Sequence, residues 1–249
     1  MKQVMVMAAS IAVIYFDRNR TMDADAQVAP IAALVADATR ASVLWALSDG
    51  RALPACDLAL QAGVTAATIS YQLEKLIAGG LVAADRQGRH RYYRLASPTV
   101  IGLLEALATV APPAPARTFR EGQQGKALRF ARTCYDHLAG LLGVRIAEAL
   151  VARGCLVPTA RDYLLTPAGE RLFGRLAVDV TGARAARRCF ARACLDWSER
   201  RHHLAGALGA ALLDRLVELG WIERTRSSRA VRLSDPGRRG LRDHLRIEI

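Results

Sequence analysis

Between Leu53 and Leu95 the hydrophobic pattern changes period in an ordered way. Leu58 and Ala59 mark the inner side of a short helix over roughly 55–62. It ends at Gly63, a residue free to take the left-handed backbone of a tight turn between helices. Val64, Ile69, Leu73, Leu76 and Ile77 then recur at helical spacing, and Thr65 stands where its hydroxyl can cap the new helix. Gly79 and Gly80 end it. Beyond them the pattern alternates. Leu81, Val82 and Ala83 precede a Gln87-Gly88 turn, and Tyr92, Tyr93 and Leu95 follow it, which predicts a two-stranded hairpin.

The side of the second helix away from this stripe is small and polar. Ala66, Ala67, Ser70, Tyr71 and Lys75 lie there, joined at its start and flank by Thr65, Thr68 and Gln72. Such a face can sit deep in a major groove and offer hydroxyls and an aromatic edge to bases and phosphates. Arg86, Arg89, His90, Arg91 and Arg94 crowd the hairpin. That cluster repels itself in isolation but becomes favourable beside phosphates, where each contact releases condensed counterions. The order helix, turn, helix, basic hairpin predicts a winged helix-turn-helix whose partner is double-stranded DNA.

The segments ACDLALQAGVTAATISYQLEKLIAGGLV and DRQGRHRYYRL resemble the helix-turn-helix and wing of the ArsR/SmtB family of transcriptional repressors, over roughly Val28 to Leu107. The resemblance implies that Thr65, Ala66, Ala67, Ser70 and Tyr71 face the groove and that Arg89 and Arg91 are wing contacts. It also implies a homodimer built from the first helix and the helix after the wing. Two familiar metal sites of the family are not intact. The stretch matching its Cys-x-Cys pair reads Pro54-Ala55-Cys56, and the last helix, PTVIGLLEALATV, holds only Glu105.

Upstream, Ile31, Leu34, Val35, Ala38, Ala41, Leu44 and Trp45 predict one long amphipathic helix, and Val100, Leu103, Leu104 and Leu107 predict another after the wing. Val4 to Phe16 is apolar like a signal segment but too short to span a bilayer, and Asp17-Arg18-Asn19-Arg20 follows it. The expected organisation is an N-terminal extension over 1–22, with Met22 as an alternative start, and a winged domain over 23–110. A Pro/Ala-rich linker over 111–119 leads to a C-terminal sensor and dimerisation domain over 120–249.

That last domain repeats itself, at about 131–175 and 191–245. His137-Leu138-Ala139-Gly140 answers His203-Leu204-Ala205-Gly206, Cys134-Tyr135-Asp136 answers Cys194-Leu195-Asp196, and Thr166-Pro167 and Ser234-Asp235-Pro236 both read as helix caps. Each copy reads as helix, helix, short hairpin and capped helix, a winged-helix-like unit without a recognition helix. The fold class is therefore mainly α with small β-hairpin wings, an α+β arrangement.

Cys134, Asp136 and His137 in one copy, and Cys194, Asp196, His202 and His203 in the other, with Cys189 nearby, offer thiolate, carboxylate and imidazole to zinc or another thiophilic metal ion. On a helix Cys134 and His137 lie one turn apart, whereas an insertion separates Cys194 from His203, so the two halves are expected to differ. The competing reading makes these thiols small buried residues and the aspartates caps or arginine partners.

Composition narrows the partner. The 249 residues carry a net charge of +12, almost all of it arginine, which suits a polyanion. Five cysteines at irregular spacing predict reduced thiols and a cytoplasmic location, with no membrane partner. A thiol enzyme using Cys134 with His137, or Cys194 with His203, is the rival class. It lacks any Cys-x-x-Cys, phosphate loop or nucleophile elbow to support it. A protein-contact module predicts a neutral hairpin, contrary to the arginine-rich tip. The reading is a homodimeric DNA-binding repressor released by a metal, a thiol-reactive species or another small effector.

Overall fold

The computed structural model describes residues 26–112, 119–225 and 228–249. The proposed N-terminal extension and most of the linker lie outside them.

The apolar run predicted as one long helix is two, α1 (Val28–Val35) and α2 (Ala38–Ala46), meeting at 85°. The reason is local capping. The Asp37 carboxylate accepts from the Arg40 backbone N–H, starting α2. The Arg40 guanidinium then donates back to the Leu34 and Ala33 carbonyls that α1 leaves unpaired. Strand β1 (Leu53–Pro54) leads into α3 (Ala55–Ala62), which ends at Gly63 in the left-handed region, φ 65°. Helix α4 (Ala66–Ala78) follows with Ile69, Leu73 and Leu76 buried, as its period predicts.

The wing is β2 (Val82–Gln87) paired antiparallel with β3 (His90–Leu95). Gln87 pairs with His90, so the turn residues are Gly88 and Arg89, one later than expected, with Gly88 taking the positive φ at the first turn position. The sheet has a third strand, because β1 pairs with the outer edge of β3, Leu53 against Tyr93 and Pro54 against Tyr92. Two residues, one of them a proline suited to an edge, leave no alternation to read. Helix α5 (Pro98–Val110) closes the unit with Val100, Ile101 and Leu104 buried.

After α6 (Phe119–Phe130) the repeat takes a different form from the one expected. The segment around Cys134 and His137 is a hairpin, not a helix: β4 (Arg132–Cys134) and β5 (His137–Ala139) turn through Tyr135 and Asp136, with Tyr135 in the left-handed region. Then come α7 (Gly140–Ala152), β6 (Leu156–Pro158), β7 (Tyr163–Leu165) and α8 (Pro167–Arg175). A connecting helix, α9 (Val180–Ala185), leads to the second copy: β8 (Arg192–Leu195), β9 (His202–Ala205), α10 (Gly206–Glu218), β10 (Ile222–Arg224), β11 (Val231–Leu233) and α11 (Asp235–Gly240). A π-helical turn, Leu241–Leu245, ends the fold. Thr166 and Ser234 cap α8 and α11 in the same way, each accepting from the backbone N–H three residues on.

The copies are crossed rather than stacked. Tyr163 N–H donates to Ala191 and Ala193 N–H to Arg161, so the β6–β7 hairpin of the first copy extends β8 of the second. Thr133 N–H donates to Arg229 and Val231 N–H to Ala131, the reciprocal arrangement. One apolar core spans both, from Leu138, Leu142 and Ile146 to Leu204, Leu208 and Leu212.

Two glycines allow each long helix to pack close against the hairpin of the other copy. A Cβ on Gly143 of α7 would lie 2.5 Å from the Leu138 carbonyl oxygen and 3.6 Å from the His203 Cβ of the other copy. A Cβ on Gly209 of α10 would lie 2.5 Å from the Leu204 oxygen and 3.3 Å from the His137 Cβ. Gly143→Ala and Gly209→Ala should therefore each destabilise the domain by about 1–3 kcal/mol, because a backbone carbonyl must move. Gly174→Ala, on an exposed position of α8 with open space around it, should stabilise by up to about 1 kcal/mol. Urea denaturation of the three variants checks both signs.

Candidate nucleic-acid interface and buried cysteine–histidine cluster

The outer side of α4 is built as its pattern requires. The Thr65 hydroxyl accepts from the Thr68 N–H at 3.2 Å and fixes the start of the helix. Thr65, Ala66, Ala67, Thr68, Ser70, Tyr71 and Lys75 are all exposed, while Ile69, Leu73 and Leu76 hold the opposite side in the core. Tyr71 is 56% exposed, an uncommon position for a large aromatic ring, and the Lys75 ammonium sits 4.5 Å from its centroid. Gln72 departs from the expected set. It is half-buried, and its amide oxygen accepts from Arg40 at 2.8 Å, tying α4 to α2.

Arg86, Arg89, His90 and Arg91 are exposed towards the end of the wing, with Arg91 stacked 5.3 Å from the Tyr93 ring. Arg94 is engaged instead by Asp85, 2.7 Å away on the facing strand. The wing thus presents a net positive tip beside a neutral, hydroxyl-bearing helix start.

The second site lies where the copies cross. Cys134 pairs with His137 across β4–β5, and Cys194 pairs with His203 across β8–β9. The two halves are therefore equivalent by register, contrary to the expectation from spacing, because the extra residues of the second copy only lengthen the hairpin loop. One ligand atom from each of Cys134, His137, Cys194 and His203 lies within 4.8 Å of the others. The two Nε2 atoms face each other at 3.1 Å. Three of the four side chains are buried and Cys194 is half-buried.

The other candidates do not join this centre. Asp136 and Asp196 stand behind it, with Asp136 Oδ1 3.3 Å from His137 Nδ1 and Asp196 Oδ2 3.4 Å from His203 Nδ1. His202 is exposed, and the exposed Cys189 thiol points to Asp162 at 3.3 Å.

The electrostatics follow from burial and pairing. Burial works to raise both aspartates, but contact with His137 and Arg188 holds Asp136 below the usual carboxylate range, and His203 and Arg132 do the same for Asp196. Burial works to lower both imidazoles, and the adjacent carboxylates and the Cys134 sulfur more than offset it. The Cys134 thiol is pushed up to about 12 by its hydrogen bond with Cys194 and by burial, which removes the thiolate that a nucleophilic role needs.

The sequence pattern gives no sign of Arg132. It is wholly buried and donates to Asp196 Oδ2 at 2.9 Å, Ser198 Oγ at 3.2 Å and the Leu128 carbonyl at 3.2 Å, with the Trp197 ring 4.6 Å away. Glu105 of α5 approaches it to 4.0 Å and approaches Arg229 to 3.9 Å. Burial holds Glu105 above the usual carboxylate range, and the two arginines offset only part of that rise. Arg229 also stacks on Trp45 of α2, 4.6 Å from its centroid, and the Tyr135 N–H donates to the Ser48 carbonyl at 2.7 Å. Cys134 and Ala139 accordingly belong to the core of the winged unit. In a chain this rich in arginine no spacing marks the one that is buried.

Residues 35–83 match the Helix-turn-helix domain family HTH_20. The chain belongs to the HTH-type transcriptional regulators. It is 43% identical over 222 residues to the HTH-type transcriptional regulator YdfF of Bacillus subtilis, a match covering 89% of this chain and 98% of that one. The HTH-type transcriptional regulator KmtR of Mycobacterium tuberculosis is 44% identical over 62 residues, 25% of this chain and 47% of KmtR. Among solved structures, the homodimeric winged helix-turn-helix DNA-binding domain of a possible ArsR-family regulator from Mycobacterium bovis is 33% identical. It covers 34% of this chain and 77% of that one, with a TM-score of 0.32. By its match to YdfF and to the helix-turn-helix domain model, the protein is a DNA-binding transcriptional regulator.

Arg132→Met should cost about 3–5 kcal/mol, since it leaves the buried Asp196 carboxylate without its arginine. Denaturant midpoints of the wild type and the variant measure that loss.

Proposed function

We infer that the protein is a cytoplasmic homodimeric repressor that lays α4 in successive major grooves of a pseudo-palindromic operator and is released by a small effector. The observation that carries this reading is the division of α4, with an apolar stripe sealed in the core and Thr65, Ser70 and Tyr71 in solvent beside the arginines of the wing. The N-terminal end of the helix meets base edges, while Arg89 and Arg91 hold the backbone or the adjacent minor groove. Twofold pairing places the reading heads about one helical turn, roughly 34 Å, apart.

Self-association is supported by apolar surface left uncovered on two helices. The sequence of α1, VAPIAALV, has no buried residue in the single chain. Val28 is 68% exposed, and on α5 Leu107 is 43% and Val110 81% exposed. A second copy covering these faces removes them from water. No single helix among the described residues is long and apolar enough to cross a membrane, and all five cysteines are free thiols. Release follows when effector binding in the C-terminal domain changes the spacing of the heads, since each base pair that goes unread is worth about 1–3 kcal/mol.

Selection of bound duplexes from fragmented genomic DNA, followed by footprinting, tests the reading; protection without twofold symmetry would contradict the dimeric arrangement. Arg89→Ala with Arg91→Ala should weaken binding to all sequences alike. It should also lower the slope of log affinity against log salt by about 2, close to one unit for each phosphate no longer neutralised. Val28→Asp with Leu107→Glu should yield a monomer by sedimentation, with loss of operator binding and retention of the helical circular dichroism signal.

A further inference from the structure

The four ligand atoms at the crossing of the two copies pose a problem that simple packing does not solve. Carboxylates stand behind both imidazoles, Asp136 at His137 Nδ1 and Asp196 at His203 Nδ1. Asp136 is hydrogen-bonded to its imidazole, whereas Asp196 makes no hydrogen bond to His203 and acts there through its charge; both favour the tautomer with its proton on Nδ1, which leaves a bare lone pair on Nε2. Those two lone pairs point at each other across 3.1 Å, with the Cys134 and Cys194 sulfurs beside them. Facing lone pairs in a buried site are reconciled by a shared cation, either a proton or a metal ion.

The donor set decides between metal classes. Two thiols and two imidazoles exclude calcium and magnesium, which take oxygen ligands, and match a borderline-soft cation content with four-coordination. Tetrahedral zinc, at about 2.0–2.1 Å from nitrogen and 2.3 Å from sulfur, needs ligand atoms roughly 3.3–3.8 Å apart. The present spread of up to 4.8 Å closes to that by small side-chain rotations. All four positions are filled by protein, so the centre has no open coordination site for a substrate.

We propose that Cys134, His137, Cys194 and His203 form a four-coordinate site for a zinc-class metal ion, and that its occupancy sets the affinity of the winged unit for DNA. The first half stands on the cluster alone; the second rests on the DNA-binding function inferred above. The physical link is short. Cys134 lies in the winged unit's core and Cys194 packs against it, while Tyr135, next to Cys134, is hydrogen-bonded to Ser48 after α2. Drawing the hairpins together around an ion moves a hairpin fastened to α2, and α2 packs against the helix-turn-helix. The site lies outside both stretches where the family resemblance places metal ligands, around Cys56 and along α5.

Titration of the reduced full-length protein with Co(II) and then Zn(II) tests the site. The expected result is one ion per chain, with sulfur-to-cobalt charge transfer and the intense d–d bands of a tetrahedral centre, bleached by zinc. Cys134→Ser and Cys194→Ser should each weaken binding by at least about 100-fold and Asp136→Asn by about 10–100-fold, while Cys189→Ser and His202→Ala leave it unchanged. Should the buried Cys134 variant fail to fold, the half-exposed Cys194 variant carries the comparison. No tetrahedral cobalt spectrum in folded, reduced wild type, or one that survives in the Cys134→Ser, Cys194→Ser double variant, overturns the site. Affinity for a selected operator duplex should differ at least about 5-fold between chelator-treated and zinc-loaded protein. Equal affinity overturns the regulatory half. Loss of DNA binding in both states refutes the DNA-binding reading instead, while the cobalt titration still decides the site.

Discussion

A single buried guanidinium holds three parts of this protein in register. Arg132 begins the first hairpin of one repeat, grips Asp196 in the hairpin loop of the other and lies within 4.0 Å of Glu105 on α5 of the winged unit. A cation with no solvent exposure is tolerated where its charge is balanced and most of its donors find partners. Asp196 balances the charge and accepts from one terminal nitrogen, Ser198 and Leu128 accept from the other, and Nε is left without a partner. Asp196 also accepts from the backbone N–H groups of Gly140, Ser198 and Glu199. The longer loop of the second hairpin is thereby folded back on itself. The same carboxylate stands 3.4 Å behind His203 Nδ1, so the pair that joins the repeats also sets a negative charge beside an imidazole of the buried cluster.

From that pair the connection to the DNA-reading surface runs through packed side chains. Glu105 and Trp45 meet Arg229, itself supplied by the hairpin that crosses over from the second repeat. Arg40 binds α1 and α2 together and reaches Gln72 on α4. Helices α1 and α5, which carry the uncovered apolar residues, are therefore each one step away from groups that touch either the recognition helix or the crossed repeats. Rigid elements thus connect the C-terminal domain to the recognition helix, without a flexible relay.

How much of this is legible in the sequence varies with the physics of each part. Helices α3 and α4, the Thr65 cap and the left-handed Gly63 follow from local rules, and the structure has them where the pattern puts them. The break between α1 and α2 is hidden, because both helices are apolar and the signal is one aspartate whose capping role competes with a continuous period. Strand β1 is too short to carry alternation. Cys134 to Ala139 read as helix because the spacing of Cys134 and His137 fits one turn. The positive φ at Tyr135, which closes a hairpin there instead, is unusual for a tyrosine and leaves no sequence mark. The repeat itself is plain, but its crossing is not, since exchange of hairpins depends on residues far apart in the chain. That crossing is also what makes the two cysteine–histidine pairs equivalent.

Tandem repeats ordinarily open one unit at a time, because each unit's interior is largely its own. Here the second hairpin of either half is an edge strand for the first hairpin of its sibling, and the apolar interior is shared between them. Peeling one half away would strip strand partners from both at once. Partial unfolding of the C-terminal half-chain is thus suppressed in favour of all-or-none melting, and the protein behaves there as a fused, strand-exchanged pair rather than as beads on a string.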